Sequence, residues 1–191
     1  MNGSTTATAH HRDPSMQAPE YIRKIAPYLP GKPISELARE FGLAERDIVK
    51  LASNENPRGP GPAVRAAIAA AVEDLSRYPD GNGFELKAAL AARHRVAPEQ
   101  IVLGNGSNDV LELVAQAFLR PGDHAIVETP CYESALQLAR STGADVSEWR
   151  RRYEDGWAHD LDALAGLIRP ATRMLYLNQP HNPTGTLMSR P

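Results

Sequence analysis

From residue 101 onward, short apolar runs alternate with segments of helical period, and no other feature constrains the fold as tightly. Ile101–Leu103, Ala125–Val127, Asp145–Trp149 and Met174–Leu177 have the length and composition of strands. Between them, Asn108–Leu119, Tyr132–Ser141 and a stretch from an Asp160 cap to Ile168 have the spacing of helices. Neighbouring parallel strands need a crossover of about a dozen residues or more, and a helix is the usual crossover. The alternation therefore predicts an α/β layered fold, a mostly parallel sheet flanked by helices.

The chain ahead of that region is less regular. Residues 1–19 are polar and aperiodic, and read as a disordered tail. Residues 20–60 read as an N-terminal arm or small-domain segment. Prolines at 27, 30 and 33 make Tyr21–Lys32 irregular. A helix over Ile34–Phe41 stops at Gly42, and a short strand over Ile48–Ala52 runs into the turn cluster Ser53–Pro57. Residues 61–191 read as one incomplete domain. It begins with a helix over Pro62–Leu75, striped by Val64, Ile68, Val72 and Leu75, and a second helix over Gly83–His94.

Composition removes several classes of function. Lys and Arg number 21 against 23 Asp and Glu, so no net field draws nucleic acid or an anionic membrane. No run approaches the roughly 20 apolar residues that span a bilayer, and residues 1–19 lack the apolar stretch of a secretory signal. A single cysteine, Cys131, excludes an internal disulfide and fits a reducing compartment, hence the cytoplasm. Adjacent His10 and His11 belong to a solvated tail, and no metal is expected.

Three loops carry chemistry. Gly104-Asn105-Gly106-Ser107-Asn108 joins a strand to a helix. Glycines let backbone approach a ligand, and the first helical turn offers N–H groups and partial positive charge to an anion such as a phosphate. The same residues also satisfy a plain helix cap, and they match neither the dinucleotide nor the Walker fingerprint. Asn178-Gln179-Pro180-His181-Asn182-Pro183-Thr184-Gly185 follows an apolar strand, at the sheet end where open α/β folds bind ligands. Its Asn182 amide can donate to a ring oxygen, or the turn can simply cap the next helix. Tyr132, at the start of a helix, can stack on a flat heterocycle or pack at the core boundary. Tyr78-Pro79-Asp80-Gly81 is a turn whose phenol can reach a phosphate or pack.

Taken together, in this order and spacing, these segments resemble the histidinol-phosphate aminotransferase family of fold-type I pyridoxal-phosphate enzymes. The resemblance runs from Tyr21 to Pro191. Tyr28-Leu29-Pro30-Gly31-Lys32-Pro33 and Lys50-Leu51-Ala52-Ser53-Asn54-Glu55-Asn56-Pro57 are similar to the family's N-terminal arm. The resemblance implies that Gly106, Ser107 and Asn108 cradle the phosphate of pyridoxal 5'-phosphate, that Tyr132 stacks on its ring and that Asn182 binds the ring hydroxyl oxygen. It implies a homodimer in which Tyr78 reaches the neighbouring subunit's phosphate, with Tyr28 and Asn56 near the substrate. The implied reaction is histidinol-phosphate:2-oxoglutarate transamination in histidine biosynthesis, on small-molecule amino-acid and oxo-acid substrates.

Departures from the family pattern bear on that implication. Gln179-Pro180-His181 stands where the family often has Asn-Pro-Asn, and Ala135 where many members place a second aromatic. The lysines are Lys24, Lys32, Lys50 and Lys87, and none matches the family's Schiff-base lysine, which is expected downstream with the ring-nitrogen aspartate and the substrate-binding arginine. The expectation is an N-terminal half of the fold-type I large domain, with no catalytic residue of its own, and with neither turnover nor tight cofactor binding as residues 1–191. Alternatives within the superfamily are an aromatic or other class I aminotransferase, or a phosphate-binding decarboxylase. The alternative outside it is a non-catalytic remnant or interaction module.

Overall fold

Strand β1, His124–Thr129, is the middle of a three-stranded sheet in the order β2-β1-β3. Both neighbours, β2 (Asp145–Arg150) and β3 (Thr172–Tyr176), run parallel to it, as the alternating pattern predicts. The structure is a computed structural model that describes residues 18–26, 31–51 and 53–188. It divides into two units, Met1–Tyr28 with Gly104–Pro191, and Leu29–Leu103.

In the sheet-bearing unit, α1 (Glu20–Arg23) comes first, α5 (Ser107–Phe118) leads into β1, α6 (Glu133–Ser141) crosses from β1 to β2, and α7 (Leu161–Leu167) from β2 to β3. The other unit holds α2 (Ile34–Phe41), α3 (Pro62–Ala71) and α4 (Phe84–His94). Successive side chains of a strand point to opposite faces. Ala125 and Val127 share a buried cluster with Ala115 and Leu119 of the α5 region and Ala139 of α6, so α5 and α6 cover that face. Ile126, and with it His124 and Glu128, therefore project to the opposite face, where the Trp149 indole of β2 donates to the Asp160 carbonyl at 3.0 Å. Asp160 caps α7 as expected, its carboxylate accepting the Ala163 N–H at 2.8 Å. β1 is buried from His124 to Glu128, and two of those five residues carry polar side chains.

Several expectations need correction. Ile101–Leu103 is not a strand, and neither are residues 48–51, while Ala52 lies outside the described residues. An apolar run becomes a strand only where another backbone edge completes its ladder, and neither run has one among the described residues. Ahead of the prolines, α1 forms a single turn rather than an irregular arm, because Pro19 sits at its N-cap, where a missing N–H costs nothing. It packs: the Tyr21 ring lies over Gly143, and the Gln137 amide donates to the Ala26 carbonyl at 2.9 Å. The helix from Pro62 ends at Ala71 and continues as a 3-10 turn over Val72–Asp74, and its apolar stripe is exposed.

Candidate active site

The loop before α5 is shaped by two glycines and one carboxylate. Gly106 adopts φ +84°, open to glycine and costly for other residues, and α5 begins at the next residue. A Cβ on Gly104 would lie 2.9 Å from Val110 Cγ2 and 3.0 Å from Asp109 Oδ2, so the backbone there passes too close for a side chain. The Asp109 carboxylate turns back to accept the Asn105 N–H at 2.9 Å. No side chain caps α5, which leaves the first-turn amides of Ser107 and Asn108 and the positive end of the helix dipole available to a guest.

Beside that helix start lies a cavity of about 420 Å³, within the roughly 300–1,000 Å³ of small-molecule sites. Ser107, Tyr132, Asn178 and Asn182 supply its polar wall, and Val110, Leu111 and Tyr176 the rest. A hydroxyl beside free helix-start amides, an aromatic ring and two carboxamides, all on one cavity, form a set suited to a phosphorylated heterocycle. Among the described residues no cluster of three or more His, Cys, Asp or Glu side chains is arranged to hold a metal ion.

Residues 46–191 match the family described as aminotransferase class I and II. The chain belongs to that family.

Its relatives agree. It is 51% identical over 172 residues to histidinol-phosphate aminotransferase 2 of Nitrosospira multiformis, covering 90% of this chain and 43% of that protein. It is 52% identical over 170 residues to the protein of the same name from Ralstonia nicotianae, covering 89% and 45%. Among solved structures, histidinol-phosphate aminotransferase from Sinorhizobium meliloti, in complex with pyridoxal-5'-phosphate, superposes with a TM-score of 0.67 at 25% identity, over 94% of this chain and 45% of that one. A single mutant of Thermus thermophilus aspartate aminotransferase gives 0.70 at 27% identity, over 89% and 46%. The chain thus has the fold of the N-terminal part of the fold-type I large domain, and it spans under half the length of these relatives.

Within this aminotransferase chain, Ser107, Tyr132 and Asn182 come together on one cavity, and Gly106 and Asn108 flank Ser107 in the chain. Asn56 and Tyr78 lie in the unit Leu29–Leu103. There the Asn56 side chain accepts the Arg58 N–H at 3.0 Å and donates to the Gly59 carbonyl at 3.3 Å, while Tyr78 is fully exposed. The turn after Tyr78 is organised by Asp80, whose carboxylate accepts the Phe84 N–H at 2.8 Å and the Asn82 N–H at 2.9 Å. Those two donors hold its carboxyl below the usual range. Tyr28 lies outside the described residues.

Sequence reasoning singled out His181, with a supporting structural role favoured over acid–base work, but missed Glu128, Arg151 and His159, which join it in a polar layer behind the Asn-Pro-Thr-Gly turn. Glu128 is wholly buried, its Oε1 is 2.8 Å from Arg151 Nη1 and 3.1 Å from His159 Nε2, and its Oε2 accepts the Asn178 N–H at 3.1 Å. His181 is buried with Nδ1 2.7 Å from Thr184 Oγ1, and burial, more than any neighbouring charge, pushes its pKa down. The signal was a charged residue directly after the apolar run Ala125–Val127; for Arg151 it was hidden in the run Arg150-Arg151-Arg152. Burial, with Glu128 nearby, pushes the Cys131 thiol up to about 11.

Proposed function

We propose that this chain builds the phosphate end and one ring wall of a pyridoxal-phosphate site in a histidinol-phosphate:2-oxoglutarate aminotransferase of histidine biosynthesis. The observation that carries the reading is the meeting of Ser107, Tyr132 and Asn182 on a single cavity beside an uncapped helix start. Pyridoxal phosphate supplies an electron sink for proton loss next to an amino group. The amides of Ser107 and Asn108 and the Ser107 hydroxyl donate to the phosphate, with Gly106 allowing the backbone close approach. Tyr132 stacks on the ring and excludes water from that face, and the Asn182 carboxamide donates to the ring hydroxyl oxygen.

None of the four lysines is among the residues that line the cavity. The substrate assignment draws on relatives named histidinol-phosphate aminotransferase at about half identity. The same reading makes the working enzyme a cytoplasmic homodimer, with Tyr28 and Tyr78 serving the partner's site and Asn56 near the substrate.

Equilibrium dialysis of the chain against pyridoxal phosphate tests the site. Ser107→Ala, Tyr132→Ala and Asn182→Ala should each weaken binding about 10-fold or more, the value of one lost hydrogen bond to a charged group or one lost stacking face. Borohydride should trap no cofactor on the chain. Unchanged affinity in all three variants would overturn the reading. A chimera carrying residues 1–191 ahead of the unmatched C-terminal part of the Nitrosospira protein tests the substrate, and activity on aspartate with none on histidinol phosphate would refute that assignment.

A further inference from the structure

Between β1 and the turn that carries Asn182 lies a chain of buried and half-buried polar contacts, whose charged members Glu128 and Arg151 do not line the proposed cofactor site. Glu128 is the penultimate residue of β1, and Arg151 follows directly on β2, brought near by the parallel register that pairs Thr129 with Arg150. Their ion pair is almost fully buried on both sides. The carboxylate's other oxygen holds the Asn178 N–H, where the turn begins. The guanidinium donates through Nη2 to Thr186 Oγ1 at 2.7 Å, where the turn ends, and also bonds the Trp157 carbonyl. From Thr186 the chain continues to Thr184 Oγ1 at 2.8 Å and on to His181 Nδ1. Across the turn, the Asn178 carboxamide donates to the Asn182 carbonyl at 3.3 Å.

A buried ion pair is weak evidence of stabilisation, because desolvating two charges offsets most of their attraction. Two apolar side chains would fill the same space. What they could not do is accept one backbone N–H and donate to one hydroxyl at opposite ends of a nine-residue turn. We propose that Glu128 and Arg151 are positioning residues: their pair clamps both ends of the segment 178–186 and so aims Asn182 into the cavity. The proposal rests on the reading of that cavity as a pyridoxal-phosphate site.

The test uses the whole chain and two readouts. In hydrogen exchange without cofactor, Glu128→Gln should speed amide exchange across 178–186 by about 10-fold, while peptides from β1 and α6 keep wild-type rates. In equilibrium dialysis with pyridoxal phosphate, Glu128→Gln should weaken binding about 10-fold, and adding Asn182→Ala to it should cost little more, because both remove one contact. Thr186→Val, which leaves the ion pair in place, is the milder variant and should act the same way, to a lesser extent. Unchanged exchange over 178–186 in Glu128→Gln and Thr186→Val overturns the clamp, as do losses that multiply with Asn182→Ala. If Asn182→Ala alone leaves affinity unchanged, it is the cofactor reading that fails, whatever the exchange rates show.

Discussion

Acid should loosen the sheet through His124, and replacing that one side chain should remove the effect. His124 is 1% exposed and bridges all three strands, with Nδ1 2.7 Å from Thr172 Oγ1 and Nε2 2.9 Å from Ser147 Oγ. Arg169 already donates to both hydroxyls, through its backbone N–H at 2.9 Å and through Nη2 at 3.0 Å. Burial first, and the Arg169 charge second, press the His124 pKa below its usual value, with Asp145 opposing. A neutral histidine in the native sheet therefore competes with a chargeable one in the unfolded chain. Stability is complete above about pH 6.5, the unfolded pKa, and falls as pH drops toward the lower native pKa, by at most about 1.4 kcal/mol per pH unit for one group. His124→Gln keeps a neutral polar side chain but cannot reach both hydroxyls, and should cost about 1 kcal/mol at pH 7.5. Urea titrations of both proteins from pH 7.5 to 4.5, followed by fluorescence, give the difference in stability at each pH. Carboxylates and His181 titrate in both proteins and cancel. The wild-type advantage should shrink steadily below about pH 6.5, and parallel pH profiles would refute the argument.

Three further outcomes follow from local geometry. Gly104→Ala forces a methyl against Val110 and the Asp109 carboxylate, so it should loosen the Asn105 turn and weaken pyridoxal-phosphate binding in dialysis without changing far-UV dichroism. Asp160→Ala removes the one side-chain cap of α7 and should cost about 1 kcal/mol in urea denaturation. Cys131, with its thiol near 11, should react with iodoacetamide at pH 8 about 100-fold more slowly than an ordinary cysteine, a ratio set by the thiolate fraction and read by mass spectrometry.

The parallel sheet was legible because its middle strand is buried on both faces, and such strands announce themselves as apolar runs between helical spacings. Ile101–Leu103 looked the same but has no pairing partner among the described residues, and an apolar run does not by itself supply one. α1 was missed because a single turn is too short for any period to show. At the site, Ser107, Tyr132 and Asn182 could be picked out because each sits in or directly after a loop whose glycines, prolines and asparagines demand particular backbone shapes. Glu128, Arg151 and His159 could not. Charges in a sequence are read as solvated, and only the register of β1 on β2 reveals that Glu128 and Arg151 share a buried space.

The chain's two tryptophans sit in different surroundings. Trp149 is sealed within the sheet and bonded to the cap of α7, whereas Trp157 is half-buried and offers its carbonyl to the Arg151 guanidinium. The protein therefore carries its own optical pair, one emitter shut away from water in the sheet and the other half-open to it. Each can be silenced by a phenylalanine, which turns two separate events into two separable signals.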